Sequence, residues 1–259
     1  WSILIIPMAM VFAFGFYIKR KKLAYTIYGV MLVAYLVGIC FAHHFEMAGN
    51  PRIDEMGIAQ NIGSMEGKEM RIGAAGTATW SQTTTVTSNG SVNGMHDSTM
   101  PLTGMFTMLN MMINCWFGGV GVGFMNYYTF LIIAVFISGL MVGRTPEFLG
   151  KKVEAREMKI ASIVALCHPF IILVGTAIAA YLYAHAPGFV ESEGGWLNNP
   201  SFHGFSEMLY EYTSSAANNG SGFEGLGDNT YFWNFTCGLV LILGRYLPIA
   251  GCYSRIVGK

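Results

Sequence analysis

Apolar residues run in long blocks near 2–18, 24–42, 125–143 and 160–186, with a fifth near 230–252. As helices rising 1.5 Å per residue, such blocks match a hydrocarbon core of about 30 Å, so each is predicted to span a membrane. Two shorter stretches interrupt the series. Gly73 to Val86 is made of Gly, Ala and Thr with Trp80, and Phe202 to Ala216 is similarly mixed. Each predicts a helix of roughly 20 Å, too short to cross, that dips in and stops. Both run into a hydroxyl-rich loop. The first reads Thr83-Thr84-Thr85-Val86-Thr87-Ser88-Asn89-Gly90-Ser91, and the second Thr213-Ser214-Ser215-Ala216-Ala217-Asn218-Asn219-Gly220-Ser221. The order span, half-helix, polar loop, span therefore occurs twice, with Gly90 matching Gly220 and Trp80 matching Tyr210.

The copies differ in their return span. From Met100 to Gly143 the first spends more than forty residues. A single helix of that length would measure about 65 Å, roughly twice the hydrocarbon thickness. An interruption is expected at Gly118-Gly119-Val120-Gly121-Val122-Gly123, where glycine density disfavours helix. Met105 to Ile113, just before it, is expected to be buried against neighbours. Composition agrees with this plan: 53% of residues are hydrophobic and 12% charged, which excludes an ordinary soluble domain. The fold class is all-α and polytopic. The chain is read as a fragment that starts inside or just before a helix, not as a signal peptide. Cys40, Cys115, Cys167, Cys237 and Cys252 show no CxxC spacing and read as small buried hydrophobes.

The formal charge is zero, but its distribution is uneven. Lys19 to Lys22 form one basic cluster, Arg144, Lys151, Lys152, Arg156 and Lys159 a second, and Arg255 with Lys259 a third. Most acids lie between these clusters. The positive-inside rule puts the basic clusters in the cytoplasm and the two polar loops outside. Acids at the outer face would mildly enrich cations at a pore mouth.

A dehydrated monovalent cation needs neutral, closely spaced oxygens, which backbone carbonyls supply. Thr87, Ser88, Asn89, Gly90 and Ser91, with Ala217, Asn218, Asn219, Gly220 and Ser221, are the candidates for a selectivity filter that binds such an ion through those carbonyls. Glycine admits the backbone angles this requires, and the half-helix aims its negative end at the path. One copy alone would read as an outer Asn-Gly turn; two copies in matching register favour the filter. Gly118, Gly119, Gly121 and Gly123 form either a gate below the filter or a close-packing surface. Arg245 either snorkels to the inner interface or sets a fixed positive charge at the inner end of the pore. His43, His44, His168 and the His96-Asp97 pair are isolated in sequence. Asp97 or Ser98 is expected to cap the helix at Met100-Pro101. Glu147 to Lys159 is expected to be a short amphipathic segment, an interfacial helix or a partner's docking site. No catalytic motif is present, and a membrane-embedded enzyme using the histidines is the weakest of three functional readings.

Five segments carry a family resemblance: Gly67 to Gly73 (GKEMRIG), Thr83 to Ser98 (TTTVTSNGSVNGMHDS), Phe117 to Gly123 (FGGVGVG), Gly139 to Lys152 (GLMVGRTPEFLGKK) and Ala216 to Leu226 (AANNGSGFEGL). Together they resemble the KdpA family, the potassium-translocating subunit of the bacterial Kdp ATPase. The resemblance implies a bacterial inner-membrane protein of the potassium transporter superfamily, with four outer-helix, pore-helix, inner-helix repeats. On that scheme 1–22 ends the second repeat, 23–159 is the third and 160–259 the fourth. It further implies that K+, the transported ion, is selected by four loops, two of them here, and diverted to KdpB. KdpB would hydrolyse ATP with Mg2+, so this subunit would not, and KdpC and KdpF would complete the complex. No nucleic acid is expected as a partner. The alternative is a stand-alone Trk/Ktr-type passive K+ or Na+ transporter.

Overall fold

The chain is a succession of helices that bury hydroxyl and amide side chains at their centre and leave many large aliphatic side chains exposed on the outside. A computed structural model describes residues 1–118 and 122–257, with side chains described as far as residue 253. In chain order the elements are α1 (Ser2–Tyr17), α2 (Lys21–Ala48), α3 (Pro51–Glu55), α4 (Gly73–Val86), α5 (Pro101–Ile113), α6 (Val122–Met141), the two-residue strands β1 (Glu147–Phe148) and β2 (Lys151–Lys152), α7 (Ala155–His185), α8 (Pro187–Ser192), α9 (Phe202–Ala217) and α10 (Tyr231–Val257). Among the described residues four helices are long and apolar enough to cross a membrane, those beginning at Lys21, Val122, Ala155 and Tyr231. The block near 2–18 forms the 16-residue helix α1, apolar but shorter.

Burial differs from that of a water-soluble protein: apolar clusters are buried, but so are many hydroxyls, while long aliphatic faces are exposed. Val33, Val37 and Phe41 on α2, Ile163, Leu166, Phe170 and Leu173 on α7, and Phe235, Leu239 and Ile242 on α10 are exposed. Thr77, Ser81, Gln82, Thr84 and Thr85 on α4, and Thr213, Ser214 and Ser215 on α9, are buried. Lipid replaces water as the outer solvent, so apolar residues gain nothing by turning inward and unpaired polar groups lose heavily by turning outward. The half-helices α4 and α9 are therefore the centre of the structure. Tyr35 on α2 meets Thr83 (Oη to Oγ1, 2.7 Å), and His43 Nε2 lies 2.6 Å from Thr79 Oγ1. Asn110 Nδ2 on α5 donates to Gln82 Oε1 (2.8 Å) and Thr85 Oγ1 (3.1 Å). In the second copy Tyr212 Oη donates to Thr236 Oγ1 of α10 at 3.0 Å. Space matters as much there: a Cβ on Gly175 of α7 would strike the Tyr212 ring at 2.5 Å.

Four expectations need correction. The return span breaks earlier than its glycines: α5 stops at Ile113 because Asn114 adopts a left-handed conformation (φ 43°), and helix resumes at Val122. Gly118 lies in this break and Gly123 in the first turn of α6, whereas Gly119 and Gly121 lie outside the described residues. The Met-rich segment is buried on one face only. Met111 is buried, but Met105 and Leu109 are exposed. Neither Asp97 nor Ser98 caps α5. Its N-cap is Met100, whose N–H donates instead to Glu46 Oε1 of α2 (2.8 Å). Finally, residues 147–152 form the β1–β2 hairpin, and everything from Ala155 onward is already α7, started by a capping box between Glu154 and Glu157. Among the described residues the cysteines form no disulfide; Cys115 is buried, but Cys40 faces outward.

Candidate functional site

The two polar loops have the same construction. Each half-helix ends in a residue with left-handed φ, Ser88 at 50° and Asn218 at 55°, which turns the chain back on itself. Asn89 N donates to Thr84 O, and Asn219 N to Ser214 O, both at 2.9 Å. The asparagine side chain then ties the outgoing strand. Asn89 Oδ1 accepts from Ser91 N (2.8 Å) and Ser91 Oγ, and Asn219 Oδ1 from Ser221 N (2.9 Å) and Ser221 Oγ. These are Asx turns, in which a side-chain carbonyl holds the backbone two residues on. The repeat noticed in sequence is thus a repeat of hydrogen bonds.

The loops also meet. A Cβ on Gly90 would lie 2.5 Å from Asn219 O and 2.9 Å from Gly220 C, so the first loop has its backbone against that of the second. Asn219 Nδ2 donates to Thr84 O across the pair at 3.3 Å. All ten filter candidates are gathered at this junction or at the turns leading into it. The two glycines serve different needs. Gly220 uses φ +94°, the left-handed region expected of a filter glycine, whereas Gly90 is absent from that region and is required for space.

Bracing differs between the copies. Thr84 Oγ1 reaches the carbonyls of Asn89 and Ser91, the latter at 2.8 Å, whereas Ser214 Oγ accepts the Gly220 N–H at 3.0 Å. The matched aromatics both close their loops: Trp80 Nε1 donates to Ser91 O at 2.9 Å, and Tyr210 Oη lies 2.9 Å from Ser221 Oγ. Tyr210 is fully buried and also meets His96 Nδ1 at 2.9 Å, so a chain His96–Tyr210–Ser221 joins the exit of one loop to the other. Burial alone pushes the His96 ring down to about 4, and it is neutral at ordinary pH. Replacing Tyr210 by Phe should cost about 1–3 kcal/mol, because it orphans a buried partner at His96. Trp80→Phe, at an exposed bond, should cost less. Thermal unfolding of the two purified variants checks the order.

Arg245 Nε donates to Asn218 Oδ1 at 3.0 Å. The guanidinium is thus held at the turn that begins the second loop, not drawn away from it. A Cβ on Gly118 would meet Asn114 Oδ1 and Val86 O at 3.3 Å and Ser88 Oγ at 3.5 Å, so the described start of the glycine break lies against the turn that begins the first loop. Ser88 Oγ donates to Asn114 Oδ1 at 2.9 Å. A cavity of about 360 Å³ opens beside the second loop, lined by Glu211, Ser214, Asn218, Gly220 and Asp228 among others.

Several residues near this site have partners that their sequence neighbourhood does not indicate. Lys68 and Glu46 form an ion pair (Nζ to Oε2, 2.9 Å) with both side chains fully buried, although Nζ lies off the direction a hydrogen bond to that oxygen needs. Gly67 O accepts Met95 N at 2.8 Å, which fastens the loop's exit to the same corner. The histidines isolated in sequence act singly, His43 on α4 and His168 on Met111 O (3.0 Å). Asp97 is different, since it meets His203 and Glu207.

Comparison with known proteins agrees with this architecture. Residues 1–253 match the KdpA family, described as the potassium-transporting ATPase A subunit. Similar curated proteins are each named potassium-transporting ATPase potassium-binding subunit. That of Phocaeicola vulgatus is 82% identical over 251 residues, that of Flavobacterium johnsoniae 61% over 255, and that of Geobacillus kaustophilus 46% over 257. The alignments cover 97%, 97% and 98% of this chain but only 44% of each relative. The chain thus spans less than half the length of the relatives it matches. A match over almost every residue, on a fold built around two loops of one design, makes this chain a member of the KdpA family.

Proposed function

We propose that this chain supplies two of the four loops of a potassium selectivity filter in an ATP-driven uptake complex. One observation carries the reading: two loops of identical Asx-turn construction, each closing a buried half-helix, abut backbone to backbone at Gly90 and Gly220. Dehydrated K+ is held by backbone oxygens, and K+ is distinguished by how many such oxygens it meets and how firmly they are held. The Thr84, Trp80 and Tyr210 bonds behind the loops supply that firmness, since they fix the backbone without placing a side chain in the path. A carbonyl oxygen has two lone pairs, so Asn89 O can accept the Thr84 bond and still face an ion, whereas Ser91 O is already met by both Thr84 Oγ1 and Trp80 Nε1 and serves to anchor the loop. Two loops make half a ring, and the remainder of the full-length protein would close it.

Residues 1–22, 23–159 and 160–259 then act as the end of the second repeat and the third and fourth repeats. The filter faces outside and the Lys/Arg-rich loops face the cytoplasm of the bacterial inner membrane. Gly118 to Gly123 acts as the gate rather than as a close-packing surface, and the place of Gly118 beside Val86 and Ser88 at the end of the first half-helix supports that role. Arg245, held at Asn218, fixes a positive charge under the filter that turns the cation aside. The ion then passes to KdpB, which uses ATP and Mg2+, with KdpC and KdpF completing the assembly. Membership of an ATPase A-subunit family supports this reading over a stand-alone passive transporter. The test has two arms. The full-length protein should co-purify with a P-type ATPase, and uptake of tracer potassium by potassium-limited cells should require both. Uptake that persists without the ATPase overturns the reading in favour of passive transport.

A further inference from the structure

We propose that Asp97, His203 and Glu207 form a binding site for a divalent metal ion of the borderline Zn2+ or Co2+ class, on the outer rim of the second half-helix. His203 and Glu207 are four residues apart in the first turns of α9 and share a face. Asp97 comes from the loop that leaves the first filter turn. His203 Nε2 lies 2.6 Å from Asp97 Oδ1 and 3.7 Å from Glu207 Oε1, and the three ligand atoms fall within 4.8 Å of one another. Bonds of about 2.0–2.2 Å in a tetrahedron place ligand atoms about 3.3–3.6 Å apart, so an ion would part the 2.6 Å His203–Asp97 contact by about 1 Å and leave the 3.7 Å His203–Glu207 spacing almost unchanged.

A second observation points to a cation. Glu207 is fully buried, yet its Oε2 has no hydrogen-bond partner. Among the described residues no lysine or arginine pairs with Asp97, Glu207 or the neighbouring Glu224. A buried carboxylate with a spare oxygen is costly unless a cation or donor meets it. Asn199 Nδ2 bridges the two acids, at 3.3 Å from Asp97 Oδ2 and 2.9 Å from Glu207 Oε1. Turning that amide over would present its oxygen as a fourth ligand. Gly225 roofs the cluster: a Cβ there would strike Glu207 Oε1, Asp97 Oδ2 (2.7 Å) and Asn199 Nδ2 (2.8 Å). Glu224 holds the backbone N–H of His96 (3.2 Å) and Asp97 (3.0 Å), which orients the Asp97 segment from behind. The His203 side chain is about half exposed (47%) and gives the ion a route from solvent.

One imidazole with carboxylates and an amide favours borderline metals, rather than Ca2+, which takes more oxygens, or a thiolate-seeking ion. A bound ion would join the first loop copy to the second, next to the His96–Tyr210–Ser221 chain. The experiment needs no transport and so is independent of the potassium reading. The full-length protein, stripped with chelator and freed of any histidine tag, is titrated with ZnCl2 alone, and separately with CoCl2 as a spectroscopic probe. The expected result is one Zn2+ per chain, cobalt bands of low coordination number, and a higher melting temperature with Zn2+. His203→Ala should weaken binding at least about tenfold and remove the bands and the thermal shift. Asp97→Asn should do the same, and the half-exposed His203 keeps the test open should that variant fold poorly. Binding by His203→Ala equal to wild type, or no Zn2+ bound at submillimolar concentration, overturns the site.

Discussion

Replacing Gly90 by alanine should raise the potassium concentration for half-maximal uptake at least about tenfold, or about 1.4 kcal/mol of lost binding. The cause is contact, not backbone angle. The added carbon would meet Asn219 O at 2.5 Å and Gly220 C at 2.9 Å, both main-chain atoms that no rotamer change can move aside. Ordinary contact needs about 1 Å more, so the loops must separate or tilt. A cation held by fixed oxygens responds to such shifts, and selectivity over sodium should fall with affinity. Gly220→Ala is the matched control. Its added carbon would have only Gly90 Cα near, at 3.9 Å, and its burden is the strain of φ +94°. That strain costs about 1–2 kcal/mol and can be relieved within one loop. The smaller loss is therefore expected there. Tracer uptake by potassium-limited cells expressing full-length variants measures both. Unchanged affinity in Gly90→Ala, with normal expression, would remove the junction from the ion path.

The contrast between these glycines shows how much the sequence disclosed. The boundaries of α4, the start of α9 and the equivalence of the two loops are local properties. They follow from a short apolar-hydroxyl run ending in Asn-Gly, and the structure follows them closely. The glycine break was legible for the same reason, though the helix stops at Asn114, a residue whose left-handed φ depends on bonds made by Ser88 and Asn126 from outside its own turn. Contacts between distant segments were not legible. Nothing around His96-Asp97 announces Tyr210 or His203, more than a hundred residues away. Periodicity reports which face a residue occupies and is silent on which helix that face meets. The same limit hid the role of Gly90, which is set entirely by the opposite loop.

The second large effect is expected at a corner where chemistry was equally hidden. Glu46 ends the outer helix α2, and Lys68 precedes the first half-helix. Their side chains are fully buried, with Nζ and Oε2 2.9 Å apart. Glu46 Oε1 also accepts the Met100 N–H (2.8 Å), so one carboxylate joins α2, the loop before α4 and the start of α5. Removing either charge alone strands the other among side chains closed to solvent, at a cost of about 3–5 kcal/mol. Glu46→Gln isolates the charge, because its amide oxygen can still accept from Met100 N. Lys68→Met removes the ammonium while keeping the length of the chain. Each single variant should unfold at a clearly lower temperature. The double variant should recover most of the loss, since a neutral amide beside a thioether leaves no unpaired charge. A double-mutant cycle on thermal unfolding of the full-length protein measures this, and coupling of at least about 2 kcal/mol is expected for residues in contact. Additive losses would mean that the two charges are solvated independently and that the corner is held by its backbone hydrogen bonds alone.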